Sequence, residues 1–453
     1  MISKSFDVVI VGAGSAGTAT AFKLCSKGFQ VALIERKDKN AIGRKICGDM
    51  VTKKAFRVSG IPKPTGEERK QLVKGLDLYS PSQKTKFRIE LDAFKGYIVD
   101  RYLFGQRLLK LALDAGAQLF ERRHATGILH DTNQITGVAV KALDDQSREE
   151  FRAKLVIDAS GSSAVLRRKL PPELAGFIEP TIRKEDNHFA YREIRNIKQP
   201  LEEPEYVKIY FEQKIAPKGY VWIFPRGESA YKSVNAGLGG WTSGHFNFKT
   251  QFRHYIQNHP LFKNSEIIDQ GSGYVPRRRP MDSLVTNGLV LIGDAGCQVN
   301  PLSAGGIDAG LVGGPMITKT FEKAGEKGDF TAQSLWPYNV QYQRTIGRDY
   351  SFYDMVKTTF NEMTNEEMDF VFDRQILNQH DISRILNPGF HMLLTEKISR
   401  GLRGLRKPLF LLHLNKASQL MTEIRDYYEK YPADINQFVA WQRTLKRKFY
   451  PNE

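Results

Sequence analysis

The chain opens on an unbroken apolar run, Val8-Val9-Ile10-Val11. Gly12-Ala13-Gly14-Ser15-Ala16-Gly17 and a helical pattern to about Lys27 follow. A second apolar run, Val31 to Ile34, ends in Glu35. This order predicts a buried strand, a tight turn, a helix and a second buried strand. Residues 76–91 alternate loosely and read as a hairpin turning near 80–83. A helix is expected over 103–115, closed by Gly116. Strand-like pieces follow at 117–129 and 135–142, then a charged turn region at 144–150 and a buried strand at 155–159. Residues 188–238 form short alternating segments rich in Tyr, Phe, Trp, Val and Ile, broken by Pro and Gly, as in an antiparallel sheet. A buried strand returns at 289–292, and from about Trp336 the pattern is helical.

These elements predict an α/β protein. A Rossmann-type nucleotide-binding domain (1–75, 96–170 and 276–335) is interleaved with a mostly antiparallel β domain for substrate (76–95 and 171–275). A C-terminal helical region (336–453) follows. At 453 residues the chain exceeds a single core. Its net charge of +17 implies an acidic partner. The basic residues are scattered and no nucleic-acid signature accompanies them, which favours a lipid surface or phosphate groups over nucleic acid. Three cysteines, Cys25, Cys47 and Cys297, make no disulfide framework and no metal spacing, and a reducing cytosol is expected. No run of about 18 apolar residues suggests a membrane span.

The glycines have separate tasks in a dinucleotide fingerprint. Gly12 permits the turn, Gly14 admits a pyrophosphate, Gly17 allows the helix to pack closely, and the helix N-terminus, with Ala16 in its first turn, faces the phosphates. Glu35 is placed to accept ribose hydroxyls, and Arg36 to stack on adenine. Tyr220, Trp222 and Phe224 repeat with period two and share one strand face, either as sheet core or as an aromatic wall for an apolar ligand. Cys47 reads as an inert buried residue or as a reactive thiol, with Arg44 and Lys45 favouring its thiolate. Redox pairing with Cys297 is a third reading. Cys25 lies in the first helix and is expected in its core.

Three distant segments resemble one superfamily. The N-terminal fingerprint, Asp158-Ala159-Ser160-Gly161 with Val165-Leu166-Arg167, and Gly293-Asp294-Ala295 with Pro301 and Gly305-Gly306 are similar to the motifs of p-hydroxybenzoate-hydroxylase-type flavoproteins. The resemblance implies FAD. In it Asp294 holds a ribityl hydroxyl, and Gly305, Gly306 and Ile307 open a helix toward the pyrophosphate and ring. Arg101 contacts the phosphates, and the strand of Ala125 reads adenine through its backbone. More narrowly, Tyr220-Val221-Trp222-Ile223-Phe224-Pro225-Arg226-Gly227 resembles the YxWxFPxG motif of the geranylgeranyl reductase family. Within that family the likeness is to the archaeal digeranylgeranylglycerophospholipid reductases. Cys47-Gly48-Asp49 then corresponds to the family's Cys-Gly segment beside the flavin.

The resemblance implies reduction of isolated C=C bonds in geranylgeranyl chains of isoprenoid membrane lipids, by hydride from reduced flavin. Cys47 is the first candidate proton source and Asp49 the second. Only one dinucleotide fingerprint is present, so electrons are expected from a transient nicotinamide nucleotide or a ferredoxin-like protein. Burying a C20 chain is worth about 16 kcal/mol, at roughly 0.8 kcal/mol per CH₂. Leaving a bilayer costs as much, so peripheral attachment to the inner face of the cell membrane is expected. The acid-free run 397–416 is a candidate for lying on an anionic surface or, equally, for a solvated basic face. A flavin monooxygenase acting on an apolar substrate and a non-catalytic prenyl-binding escort protein are the competing functions.

Overall fold

The computed structural model describes residues 2–227, 233–386, 407–451 and 453. The first apolar run lies within strand Ile2–Val11, which pairs in parallel with Val31–Ile34 on one side and Arg148–Asp158 on the other. Both sheet faces are covered there, which is why Val8, Val9 and Ile10 form a continuous run rather than an alternation. The path of this sheet is Val285–Thr286, Leu289–Leu291, Arg148–Asp158, Ile2–Val11, Val31–Ile34, Gln118–Phe120. Strands Ile135–Ala142 and Arg123–His130 extend it from Arg148–Asp158. Helix Ser15–Cys25 follows the glycine turn, with Cys25 buried at its end.

Two boundaries differ from the sequence reading. Arg148–Asp158 is one strand of 11 residues, beginning inside the expected charged turn. Its first half pairs antiparallel with Gly137–Lys141 and buries alternate residues, Glu149 and Phe151. Glu149 disguises that alternation, because its buried carboxylate is paired with Lys4 and Arg123. The strand expected over 117–129 is broken at Arg122, which adopts a left-handed φ of 53°.

The second sheet has seven strands, in the order Glu266–Pro276, Asn187–Asn196, Ser233–Gly240, Tyr220–Arg226, Tyr206–Tyr210, Gly75–Tyr79, Lys86–Ile89. All its pairings are antiparallel except Tyr206–Tyr210 with Gly75–Tyr79. Helix Phe248–Asn258 covers one face, packing on Val221, Ile223, Val234, Ala236 and Leu238. The opposite face presents Tyr220, Trp222 and Phe224. A third sheet of three short strands joins Met50–Thr52, Gly96–Val99 and Arg69–Val73.

The C-terminal helices divide between two cores. Ala332–Tyr342, Pro408–Glu429 and Phe438–Phe449 bring Trp336, Tyr428, Phe438 and Trp441 onto the core of the first sheet. Asn365–Asp373 brings Phe372 against Phe87 of the hairpin, ring centroids 4.9 Å apart. Of the basic run 397–416, residues 397–406 lie outside the described residues.

Candidate active site

The glycine turn is shaped by contacts that leave no room for a side chain. Gly12 has φ +108°, and a Cβ there would sit 2.4 Å from the Ala159 carbonyl oxygen. A Cβ on Gly17 would sit 1.9 Å from the Gly12 oxygen. Gly14, by contrast, faces open space, as a backbone approached by a phosphate requires. The Glu35 carboxylate accepts from the backbone N–H of Ala13 (2.8 Å) and Lys37 (2.9 Å), fixing it at the end of its strand. Arg36 is exposed beyond it. Ala125 lies on the neighbouring strand, joined to Glu35 through Arg123 N–H donating to the Glu35 carbonyl, 2.8 Å.

Arg101 begins helix Arg101–Asp114, whose N-terminus is capped by the Asp100 carboxylate. It is buried, not a solvated helix start, and donates to Ser15 Oγ at 2.8 Å. Its Nε and second terminal nitrogen have no partner. Unpartnered buried guanidinium nitrogens beside a phosphate-type helix N-terminus fit an anionic ligand. The second motif serves this turn from within. Asp158 is fully buried, and its carboxylate accepts from the backbone of Ser160, Leu166 and Arg167.

Helix Ile307–Lys327 converges on the same place. Its N-cap is Gly306, and neither it nor Ser15–Cys25 has a side-chain cap. A Cβ on Gly310 would lie 3.1 Å from Ala16 Cβ, and one on Gly293 would meet the same atom at 3.1 Å. Ala16 is therefore the crossing point of the two helices. Asp294 is near Gly306, whose Cβ would be 3.0 Å from Asp294 Oδ1, and it pairs with Lys45 Nζ at 3.1 Å. Gly305 precedes this turn, and Ile307 is buried against Ala19. Arg277 holds the preceding loop, donating to the carbonyls of Pro301, Leu302 and Lys218.

Between these helices and the second sheet runs Cys47-Gly48-Asp49. The loop has no ladder bonds of its own, and Asp49 takes a left-handed φ of 64°. The aromatic strand closes on it. A Cβ on Gly48 would lie 2.8 Å from Phe224 Cε2, so the ring covers that glycine. Tyr220, Trp222 and Phe224 stand in a row, with centroid spacings of 6.2 and 6.5 Å. Trp222 is buried, while Tyr220 and Phe224 are half-buried, and the Tyr220 hydroxyl donates to the Ser303 carbonyl of the flavin-motif loop. Asn235, from the adjacent strand, donates to the Cys47 carbonyl oxygen (2.7 Å) and to Asp49 Oδ2 (2.8 Å), and accepts from Trp222 Nε1 (3.0 Å).

Charge at this loop differs from expectation. Burial pushes the Cys47 thiol above its ordinary value and the Asp49 charge pushes it further, outweighing Arg101 and Lys45. Cys47 is thus a neutral thiol, not a thiolate. It packs against the apolar cluster that includes Ile307 and Leu311, whereas Cys297 is buried 3.5 Å from Arg167 and 3.6 Å from Met281 Sδ. All three cysteines are free. Burial raises the Asp49 carboxyl to about 6, against the opposing pull of Arg192, Arg226 and Arg101 and the Asn235 hydrogen bond. Asp49 is fully buried. Arg192, Arg226, Arg277 and Asn235 were missed by sequence reasoning. Arg226 follows the aromatic motif and was within reach of it. The others lie in segments with no motif.

Residues 7–169 match the model of FAD dependent oxidoreductases, and residues 186–275 match that of the geranylgeranyl reductase catalytic domain. A crystal structure of a geranylgeranyl bacteriochlorophyll reductase-like protein from Thermoplasma acidophilum has the same fold, with a TM-score of 0.75 at 24% identity over 92% of this chain and 100% of that one. A flavin-dependent brominase shares the fold at a TM-score of 0.65 and 18% identity, over 84% and 93% of the two chains. Fold, cradle and matches together define an FAD-dependent oxidoreductase. The chain is 31% identical, over 97% of its length and 96% of the relative's, to the digeranylgeranylglycerophospholipid reductase of Sulfolobus acidocaldarius. The reductase of that description from Methanosarcina acetivorans is 30% identical over 81% of this chain and 88% of its own. The chain belongs to the digeranylgeranylglycerophospholipid reductase family.

Proposed function

We propose that this chain saturates C=C bonds in the geranylgeranyl chains of isoprenoid, archaeal-type ether phospholipids. The observation that carries the reading is the aromatic strand standing against the Cys47–Asp49 loop, beside the two uncapped helix N-termini. The cradle of Gly12, Gly14, Gly17, Glu35, Arg101, Asp294 and Gly306 would hold FAD, which when reduced supplies the hydride for one alkene carbon. Tyr220, Trp222 and Phe224 hold the prenyl chain, and their ring faces favour positive charge developing on its tertiary carbon. Cys47 holds the proton for the second carbon as a neutral thiol. Asp49 is ionised above about pH 6 and sustains that state.

Electrons come from a nicotinamide nucleotide or a ferredoxin-like protein. Both are anionic and suit the +17 charge. The chain works on the inner membrane surface. None of the helices among the described residues is long and apolar enough to cross a membrane. Helix Pro408–Glu429 exposes Leu409 and Leu412 beside Lys407 and Lys416, a set suited to the edge of an anionic bilayer.

The test is anaerobic incubation of the flavin-loaded protein with dithionite and geranylgeranyl phospholipid vesicles, followed by mass spectrometry. Mass gains in steps of two hydrogens are expected. Gain of oxygen, or an unchanged lipid, overturns the proposal.

A further inference from the structure

We infer that Asn235 is a positioning residue for the reduction, fixing the Cys47–Asp49 loop to the aromatic wall so that thiol and bound chain are held in one register. The inference rests on the reductase reading above and adds a residue that belongs to none of the motifs.

Asn235 is fully buried on strand Ser233–Gly240, directly across from Phe224 in the ladder. Its amide orientation is determined by its neighbours. Nδ2 faces two acceptors, the Cys47 carbonyl and the Asp49 carboxylate, and Oδ1 faces one donor, the Trp222 indole N–H. Flipping the amide would set oxygen against two oxygens and N–H against N–H, so only one orientation satisfies all three contacts. The indole in turn lies over Gly237, where a Cβ would come within 2.4 Å of Trp222 Cζ2. A single side chain thus ties residue 47 to residue 222.

Besides the Phe224 ring over Gly48, the other supports of the loop act at its ends. Val99 N–H donates to the Asp49 carbonyl at 2.9 Å, and Ile46 packs on Gly271. Neither touches the Cys47 peptide. The Asp49 carboxylate depends on Asn235 too, because its Oδ1 has no hydrogen-bond partner. Removing the amide leaves a buried carboxylate with no hydrogen-bond donor and a catalytic loop with its central tether gone.

The experiment compares wild type, Asn235→Ala and Trp222→Phe as flavin-loaded proteins. Trp222→Phe keeps one aromatic ring on the wall while removing the N–H that orients Asn235, together with the part of the indole that lies over Gly237. Three quantities are read: flavin content, kcat and KM for anaerobic lipid saturation, and the rate of Cys47 alkylation followed by peptide mass spectrometry. Cys25 and Cys297 are buried and serve as internal references. Asn235→Ala is expected to keep its flavin and its KM, to lose about tenfold or more in kcat, and to alkylate at Cys47 several-fold faster, as expected for loss of hydrogen bonds to a buried charged group. Trp222→Phe should shift alkylation in the same direction by less. Wild-type alkylation rates and kcat in Asn235→Ala overturn the inference. If Asn235→Ala does not fold, an unchanged Cys47 alkylation rate in Trp222→Phe overturns it. Failure of the wild type to saturate lipid defeats the reductase reading instead, and the alkylation rates still decide whether Asn235 holds the loop.

Discussion

Cys47 and Asp49 sit two residues apart yet face different surroundings. The thiol borders the site, whereas the carboxyl is sealed beneath it. A raised thiol pKa keeps the proton on sulfur through the neutral range, so proton donation should persist to higher pH than for an exposed thiol before declining. Cys47→Ala should keep its flavin absorbance and lose turnover on the order of a hundredfold, the usual range for a general acid. Full turnover in that variant would falsify the proton role. Asp49 makes a separate prediction. Its rise from 3.8 to about 6 means that the folded state disfavours the ionised form, a cost of roughly 3 kcal/mol above pH 6 at about 1.4 kcal/mol per pH unit. The cost is absent below about pH 4, grows between about pH 4 and 6, and is constant above. Asp49→Asn, which cannot ionise, should therefore melt higher than wild type at pH 8, and the difference should shrink on acidification to pH 4. Melting curves across that window check it. Cys47 was visible in the sequence because it lies beside a glycine within a known motif. Asn235 was not, since its partners in the loop are 188 and 186 residues away and no motif includes it.

Among the elements, the two helices that cross at Ala16 depend on absent side chains. Gly310 and Gly314 let helix Ile307–Lys327 approach Ala16, Ala19 and Thr20. Gly310→Leu forces a branched side chain into that crossing, a cost of about 1–3 kcal/mol for overpacking, and should lower flavin content together with the melting temperature. Gly12→Ala acts more locally, placing a methyl group against the Ala159 carbonyl at a positive φ. It should abolish flavin retention, read as loss of the yellow chromophore after gel filtration. The first helix and its flanking strands were legible because period, glycines and Glu35 all agree. Strand Arg148–Asp158 was only half legible. Its buried Glu149 breaks the apolar alternation, and only Lys4 and Arg123, distant in sequence, explain how that charge is tolerated.

For the whole molecule, charge and exposed leucines act together. Binding to anionic vesicles should fall steeply between low salt and about 0.5 M salt, where screening lengths contract to a few ångström. Leu409→Asp with Leu412→Asp should weaken vesicle binding at every salt concentration while flavin content stays unchanged. A double variant that sediments with vesicles like wild type would remove this helix from the membrane contact. The layered plan was readable from the sequence because buried strands and an alternating sheet have different periods. The division of the C-terminal helices between two cores was not, since helical periodicity says which face is apolar and not what it meets.

The crossing at Ala16 also has a temporal meaning. Residue 16 is made well before its partner Gly310, which follows the entire second sheet. The nucleotide cradle therefore stays half-built during most of synthesis, with the first sheet lacking Leu289–Leu291 and its apolar edge open. A fragment ending near residue 170 would carry the glycine fingerprint without Asp294, Gly306 and helix Ile307–Lys327, the other half of the cradle.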